Sequence, residues 1–267
     1  MILASASPAS AALTLAAAVA YAIPAAAAAR LSDEMARLAL LAAWLLHGAT
    51  LALGLFSDPP HFGFAPALSV TAWLMLTVYG IERQLFPQLQ ARWALAGLGA
   101  LAVLLALVFP GTPLHDTASP WLPLHLALGV ASYGLFAAAV LHAWLMTRAE
   151  KNIRQGADPG AGVPLLTLER LTFRFATAGF VLLSATLLAG LLFGETLYGP
   201  GHVLHWDHKT VFSVLAWLVF AALLLGRTRF GWRGRKAVRV LYAGSVLLLL
   251  AYVGSRFVLE VVLGRIA

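Results

Sequence analysis

The stretch LPLHLALGVASYGLFAAAVLHAWLMTR, residues 122–148, decides the fold. Residues 122–147 contain no Asp, Glu, Lys or Arg, and at about 1.5 Å per helical residue they outreach the ~30 Å hydrocarbon core of a bilayer. Cations follow at once, as Arg148, Lys151 and Arg154. An uncharged run of that length closed by basic residues reads as a membrane span with its basic end on the cytoplasmic side. Carried outward in both directions, hydropathy finds seven more predominantly apolar runs. The spans fall at 10–29, 36–56, 64–82, 93–109, 122–147, 172–193, 209–226 and 238–258.

Composition agrees with this pattern. Of 267 residues 61% are hydrophobic and 11% charged, with a mean hydropathy of +0.86, too little polar surface to coat a soluble globule. The expected fold is all-α: a polytopic bundle of about eight transmembrane helices forming one domain over 1–267. The longest gap, 148–171, has Gly156, Pro159, Gly160 and Gly162 at its centre, too short for a soluble domain. At its end Leu166, Leu168 and Leu171 against Glu169 and Arg170 predict a short interfacial helix. Residues 1–29 lack the basic start of a secretory signal and read as a retained first helix kinked at Pro24. Small residues such as Gly97, Gly99 and Ala100 let helices pack closely where no hydrophobic force drives them together. No internal repeat is legible.

Charge sets the expected orientation. All but three of the eighteen Lys and Arg residues lie in or beside the first, third, fifth and seventh gaps, the exceptions being Lys209, Arg256 and Arg265. These gaps are therefore expected in the cytoplasm, with both termini on the outer, periplasmic side of a bacterial inner membrane. The net charge of +7 is explained by orientation and calls for no nucleic-acid partner. With no Cys, the chain has no disulfide, no thiolate metal site and no covalent haem attachment through a C-x-x-C-H motif. Any iron or metal would be held by His, Asp, Glu or Met.

The eight histidines divide by position. His61 and His115 lie in the second and fourth gaps, His202, His205 and His208 in the sixth, and His125 one turn inside the outer end of the fifth span. An ionisable group in an apolar span is a functional candidate. Tyr133, eight residues on and about 80° around the helix, and Ser132 could support a ligand of His125. His47 sits near the middle of the second span, roughly 8 Å deeper than His125 if the helices are upright. That offset favours two sites, or a His47 bonded to a neighbouring Ser or Thr. His142, about 25 Å along the helix from His125, reads as structural.

The sixth gap, GPGHVLHWDHKT over 199–210, is the densest piece. If helical, His205 and His208 share a face at i, i+3, as do His202 and His205, so with Asp207 they could hold a divalent metal. A haem reading takes one of these His as axial ligand, Trp206 as porphyrin wall and Lys209 as partner of a propionate. A third reading is a helix start capped by Asp207, with Lys209 reaching back to water.

Together with Gly179, Phe180, Gly190, residues 213–217 (SVLAW), 231–235 (GWRGR) and 252–257 (YVGSRF), this gap resembles the cytochrome c assembly family, the membrane haem-handling proteins that include CcsA, CcmC and HemX, and most closely its YpjD-type inner-membrane branch. In members that move haem the outer loop reads W-G-x-x-W-x-W-D-P-K-E. Gly201, Trp206, Asp207 and Lys209 match it, while Pro200, Leu204, His208 and Thr210 depart from it. The resemblance places the family's outer ligand on His125, in an H-(x)7-Y pattern closed by Tyr133, and its deep ligand on His47. The family's second deep His would fall near Gly226 or Arg227 and its second outer His around 256–260, and neither is present.

The reading that follows is a haem-handling membrane protein, not an enzyme, which presents non-covalent haem b at its outer face. His125 with His205 or His208 would hold iron, Trp206 flank the porphyrin, Asp207 and Lys209 orient the loop, and His47 mark a deeper site. Expected partners are haem, the bilayer and other cytochrome c assembly proteins. The rival functions are divalent-metal binding or export by His202, His205, His208 and Asp207, and a scaffold for a membrane complex docking through 227–239.

Overall fold

The computed structural model describes residues 8–27, 30–55, 61–85, 92–113, 121–156, 163–195 and 207–262. All eight expected spans are helices: α1 (Pro8–Ala26), α2 (Asp33–Leu55), α3 (Phe64–Leu85), α4 (Arg92–Val108), α5 (Leu122–Arg154), α6 (Leu165–Leu192), α7 (His208–Phe230) and α8 (Gly234–Leu249). Seven of these crossings are long and apolar enough to span a membrane, that of α8 by continuing to Phe257, and α4 is a shorter apolar helix. Its 17 residues reach about 26 Å, a few ångströms less than the ~30 Å hydrocarbon core. The protein is a multi-pass, all-α membrane protein. Its one sheet among the described residues is a two-residue antiparallel pair, β1 (His61–Phe62) with β2 (Thr112–Pro113).

The expected separate interfacial helix is instead the start of α6. Leu168, Thr172, Ala176, Gly179 and Leu183 are all buried in α6, at three- and four-residue intervals with no proline among them. That stripe packs on α5, and a helix whose buried face runs unbroken has no reason to divide. Beyond α8 the chain continues as a π-helical segment, Leu250–Gly254, a turn of α-helix at Ser255–Phe257, and a second π-helical segment, Val258–Val262.

Contacts divide the chain into two compact units. The first holds residues 1–80, 90–116 and 256–267. Here α1 packs on α2 and α4. Trp44 and Trp73 stack at 4.9 Å, and the Trp73 indole N–H donates to the Trp44 carbonyl. Gly111, at φ 84°, passes so close to β1 that a Cβ would lie 2.6 Å from the Phe62 backbone.

The second unit holds residues 81–89 and 117–255, and so takes the last turn of α3 with α5 to α8. Its core centres on Phe136 and Phe220, stacked at 3.7 Å. Gly244 of α8 permits this, since a Cβ there would meet the Phe220 ring at 2.7 Å. The Trp217 indole N–H donates to Ser184 Oγ, tying α7 to α6. Gly231 ends α7 in the left-handed conformation that glycine adopts without strain.

Candidate functional site

At one end of the second unit the start of α5, the end of α6, the start of α7 and the segment after α8 supply a mixed set of side chains. His125, one turn into α5, lies against α6: a Cβ on Gly190 would be 3.6 Å from its Cε1. Its Nδ1 is buried. Lys209, in the first turn of α7, is near enough to His125 for the two to interact electrostatically, and its ammonium stands 5.8 Å from the centre of the Tyr252 ring. Exposed Trp121, Leu124 and Phe193 surround the same helix ends with apolar surface. An imidazole, an ammonium and aromatic faces are thus collected from helices far apart in sequence.

Tyr133 is joined to this region by an unusual bond. Its hydroxyl donates to the Leu248 carbonyl at 2.6 Å and receives the backbone N–H of Tyr252. In a regular α-helix that N–H would bond that carbonyl directly. The tyrosine hydroxyl has entered the ladder, and the helix widens to π geometry at Leu250–Gly254 to admit it. Sequence placed Tyr133 beside His125 as a support. A lone aromatic hydroxyl carries no signal that it will open a helix 115 residues away.

Of the other candidates, Asp207 is the N-cap of α7, its carboxylate accepting the Thr210 backbone N–H at 2.7 Å. His208 is exposed in the first turn of the same helix. His202, His205 and Trp206, like His115, lie outside the described residues. No group of three or more His, Asp or Glu side chains that could hold a metal occurs among the described residues. His61 forms part of β1.

His47 is in the first unit and is fully buried. Its Nδ1 is 3.2 Å from the Tyr21 hydroxyl and its Nε2 is 2.8 Å from Ser69 Oγ. A neutral imidazole offers one donor and one acceptor, and the two hydroxyls use both.

His142, also fully buried, pairs with a residue that sequence reasoning missed. Its Nε2 is 2.8 Å from Oε2 of Glu82, in the last turn of α3. Its Nδ1 is 2.7 Å from the Ala138 carbonyl, and the Phe175 ring stacks on it at 5.2 Å. The available signal was a single carboxylate at the end of an otherwise uncharged run, 64–81.

A family profile described as "Cytochrome C assembly protein" matches residues 8–263, nearly the whole chain. The chain belongs to that family. The Inner membrane protein YpjD of Escherichia coli (strain K12) is 34% identical over 150 residues, 55% of this chain and 56% of the relative. An Azospirillum brasilense protein, described as an uncharacterized 28.8 kDa protein in nifR3-like 5'region, is 37% identical over 147 residues, 54% of each. The cytochrome c biogenesis protein CcsA of Prochlorococcus marinus (strain NATL1A) is 34% identical over 87 residues, 33% of this chain and 27% of the relative. The matched stretch thus spans about half the length of the first two relatives. The family match, the YpjD relationship and the seven long apolar helices identify a multi-pass inner-membrane protein of the YpjD-like branch.

Proposed function

We propose that this protein handles haem in cytochrome c assembly, holding haem b non-covalently at the His125 end of its second unit and carrying out no bond-making chemistry of its own. The observation that supports this reading is the convergence of His125 and Lys209 beside Tyr252. The donor set fits the group. Imidazole is a common haem-iron ligand, an ammonium pairs with a propionate, and aromatic and aliphatic side chains suit the porphyrin faces. Because Nδ1 of His125 is buried, Nε2 is the ligating nitrogen in this proposal. With His125, His205 or His208 would hold the iron, and Trp206 would flank the porphyrin.

Haem held there would offer an iron centre and two carboxylates for delivery to an acceptor. The chain's own residues bind and orient. His125 would hold the iron, Lys209 would pair with a propionate, and Asp207 anchors the start of α7 through its cap. Tyr133 pins the segment after α8 that carries Tyr252. The charge asymmetry of the gaps supports placing this end, and both termini, on the outer side of the membrane.

The test is the optical spectrum of protein purified after haem supply. A Soret band lost in His125→Ala supports the reading, and a band unaffected by that change removes it. Divalent-metal binding seen by calorimetry, with no Soret band and indifference to His125→Ala, would transfer the function to a metal ion. A reporter fused after Ala267 and found in the cytosol would overturn the orientation.

A further inference from the structure

We propose that the end of the second unit away from His125 carries a binding site for one anionic diacyl phospholipid, its phosphate held by arginines of α6, of α7 and of the turn after α7. The site is a groove of about 600 Å³ lined by Arg170, Phe173, Arg174 and Ala178 of α6 together with Arg227 and Arg233. Roughly 30 Å of helix separates Arg170 from Gly190, the α6 residue beside His125, so the site is distinct from that proposed for haem.

The arginines are arranged as well as concentrated. Arg227 donates a hydrogen bond to Oε1 of Glu169, and Nε of Arg233 lies 3.6 Å from the same oxygen. The Arg227 guanidinium also stands 4.6 Å from the centre of the Phe173 ring. A carboxylate and a ring of α6 thus fix a guanidinium of α7 in place. Arg170 and Arg174, one turn apart on α6, are both exposed, and among the described residues neither has a carboxylate partner. Four arginines against one carboxylate leave the groove strongly positive. The positive-inside bias asks only for cations in a gap. It gives no reason for arginines from the edges of two different gaps to meet in one groove around a shared carboxylate.

The shape of α6 decides what kind of anion fits. Opposite its buried stripe, the exposed face runs through Arg170, Arg174, Ala178 and Val181, and past Arg174 the helix carries no charge to its end. Guanidinium groups match the oxygens of a phosphate. Beyond them the small side chain of Ala178 leaves room for an acyl chain to lie along the helix towards exposed Val181. A free phosphate uses only the charged end, whereas a phospholipid uses both. The unbalanced positive charge selects an anionic headgroup over a zwitterionic one, whose ammonium would be brought among arginines.

The experiment measures lipid binding to the purified full chain by native mass spectrometry, with phosphatidylglycerol and phosphatidylcholine as probes and inorganic phosphate as competitor. The expected result is one retained phosphatidylglycerol, preferred to phosphatidylcholine and not displaced by excess phosphate. Changing Arg170→Gln and Arg174→Gln together is expected to weaken that binding on the order of tenfold. Changing Arg235→Gln and Arg239→Gln together removes as much charge from the same end, outside the groove, and is expected to leave it unaltered. Equal losses in the two double variants would show a diffuse attraction to the basic end and overturn the proposal, as would the lack of any preference for phosphatidylglycerol. Ala178→Trp alters no charge and is expected to weaken binding by filling the acyl end, which keeps the test open if the arginine variant does not assemble. Undiminished binding in Ala178→Trp, or displacement of the lipid by inorganic phosphate, would remove the phospholipid as the ligand.

Discussion

His47 and His125 both stand in apolar helices, yet the first unit closes around one and the second unit opens a set of functional groups around the other. Tyr21 and Ser69 occupy both nitrogens of His47, which is sealed from every surface. His125 lies one turn from a helix end beside Lys209, with glycine on the neighbouring helix. The difference teaches that an ionisable residue in a span is defined by its partners more than by its depth. Hydroxyls from two other helices make His47 part of the packing, whereas a cation and an aromatic ring stand near His125 at the helix end where haem binding is proposed.

The largest effect that would break this contrast concerns ligand binding. His125→Ala is expected to abolish the Soret band of haem-loaded protein while changing unfolding stability by less than ~1 kcal/mol, as for a side chain outside the sealed core. A large stability loss with the band intact would exchange the roles of the two histidines. His47→Ala is expected to do the opposite. It leaves a cavity and strips both hydroxyls of their partner, costing about 2–4 kcal/mol in equilibrium unfolding, with the Soret band retained.

Smaller changes sharpen the picture. Tyr133→Phe removes the hydroxyl wedged between Leu248 and Tyr252, and the two backbone groups can then bond each other. The expected cost is ~1 kcal/mol, with slower amide exchange at Tyr252 as the π segment closes to a regular helix. Unchanged exchange there would mean that the wide turn has another cause. Ser69→Ala, which deletes one of the two His47 contacts, is expected to cost only about 0.6 kcal/mol, the mean for interhelical hydrogen bonds in a membrane, read as a small shift in the unfolding midpoint.

Much of the fold was legible because hydropathy is a local property. Eight apolar runs became eight helices, and of the three readings of the sixth gap the structure contains the helix start capped by Asp207. The start of α6 was misread as a separate helix because amphipathicity in 166–171 was weighed without its continuation. The buried stripe from Leu168 through Leu183 shows one unbroken packing face. Of the site, His125 and Lys209 could be named as candidates, but their proximity could not. Glu82 was passed over because nothing near it in sequence announces an imidazole sixty residues away.

Amino-acid order by itself determined that this chain crosses a membrane many times, which apolar runs make the crossings, and which family it resembles, because each of those depends on residues within a span or a loop. Only the tertiary structure decided that Tyr133 opens the helix at Tyr252, that Glu82 meets His142, and that His47 is enclosed by Tyr21 and Ser69. Those pairings depend on how helices turn their faces to one another, and in a bundle that rotation is set by small residues and hydrogen bonds on several helices at once.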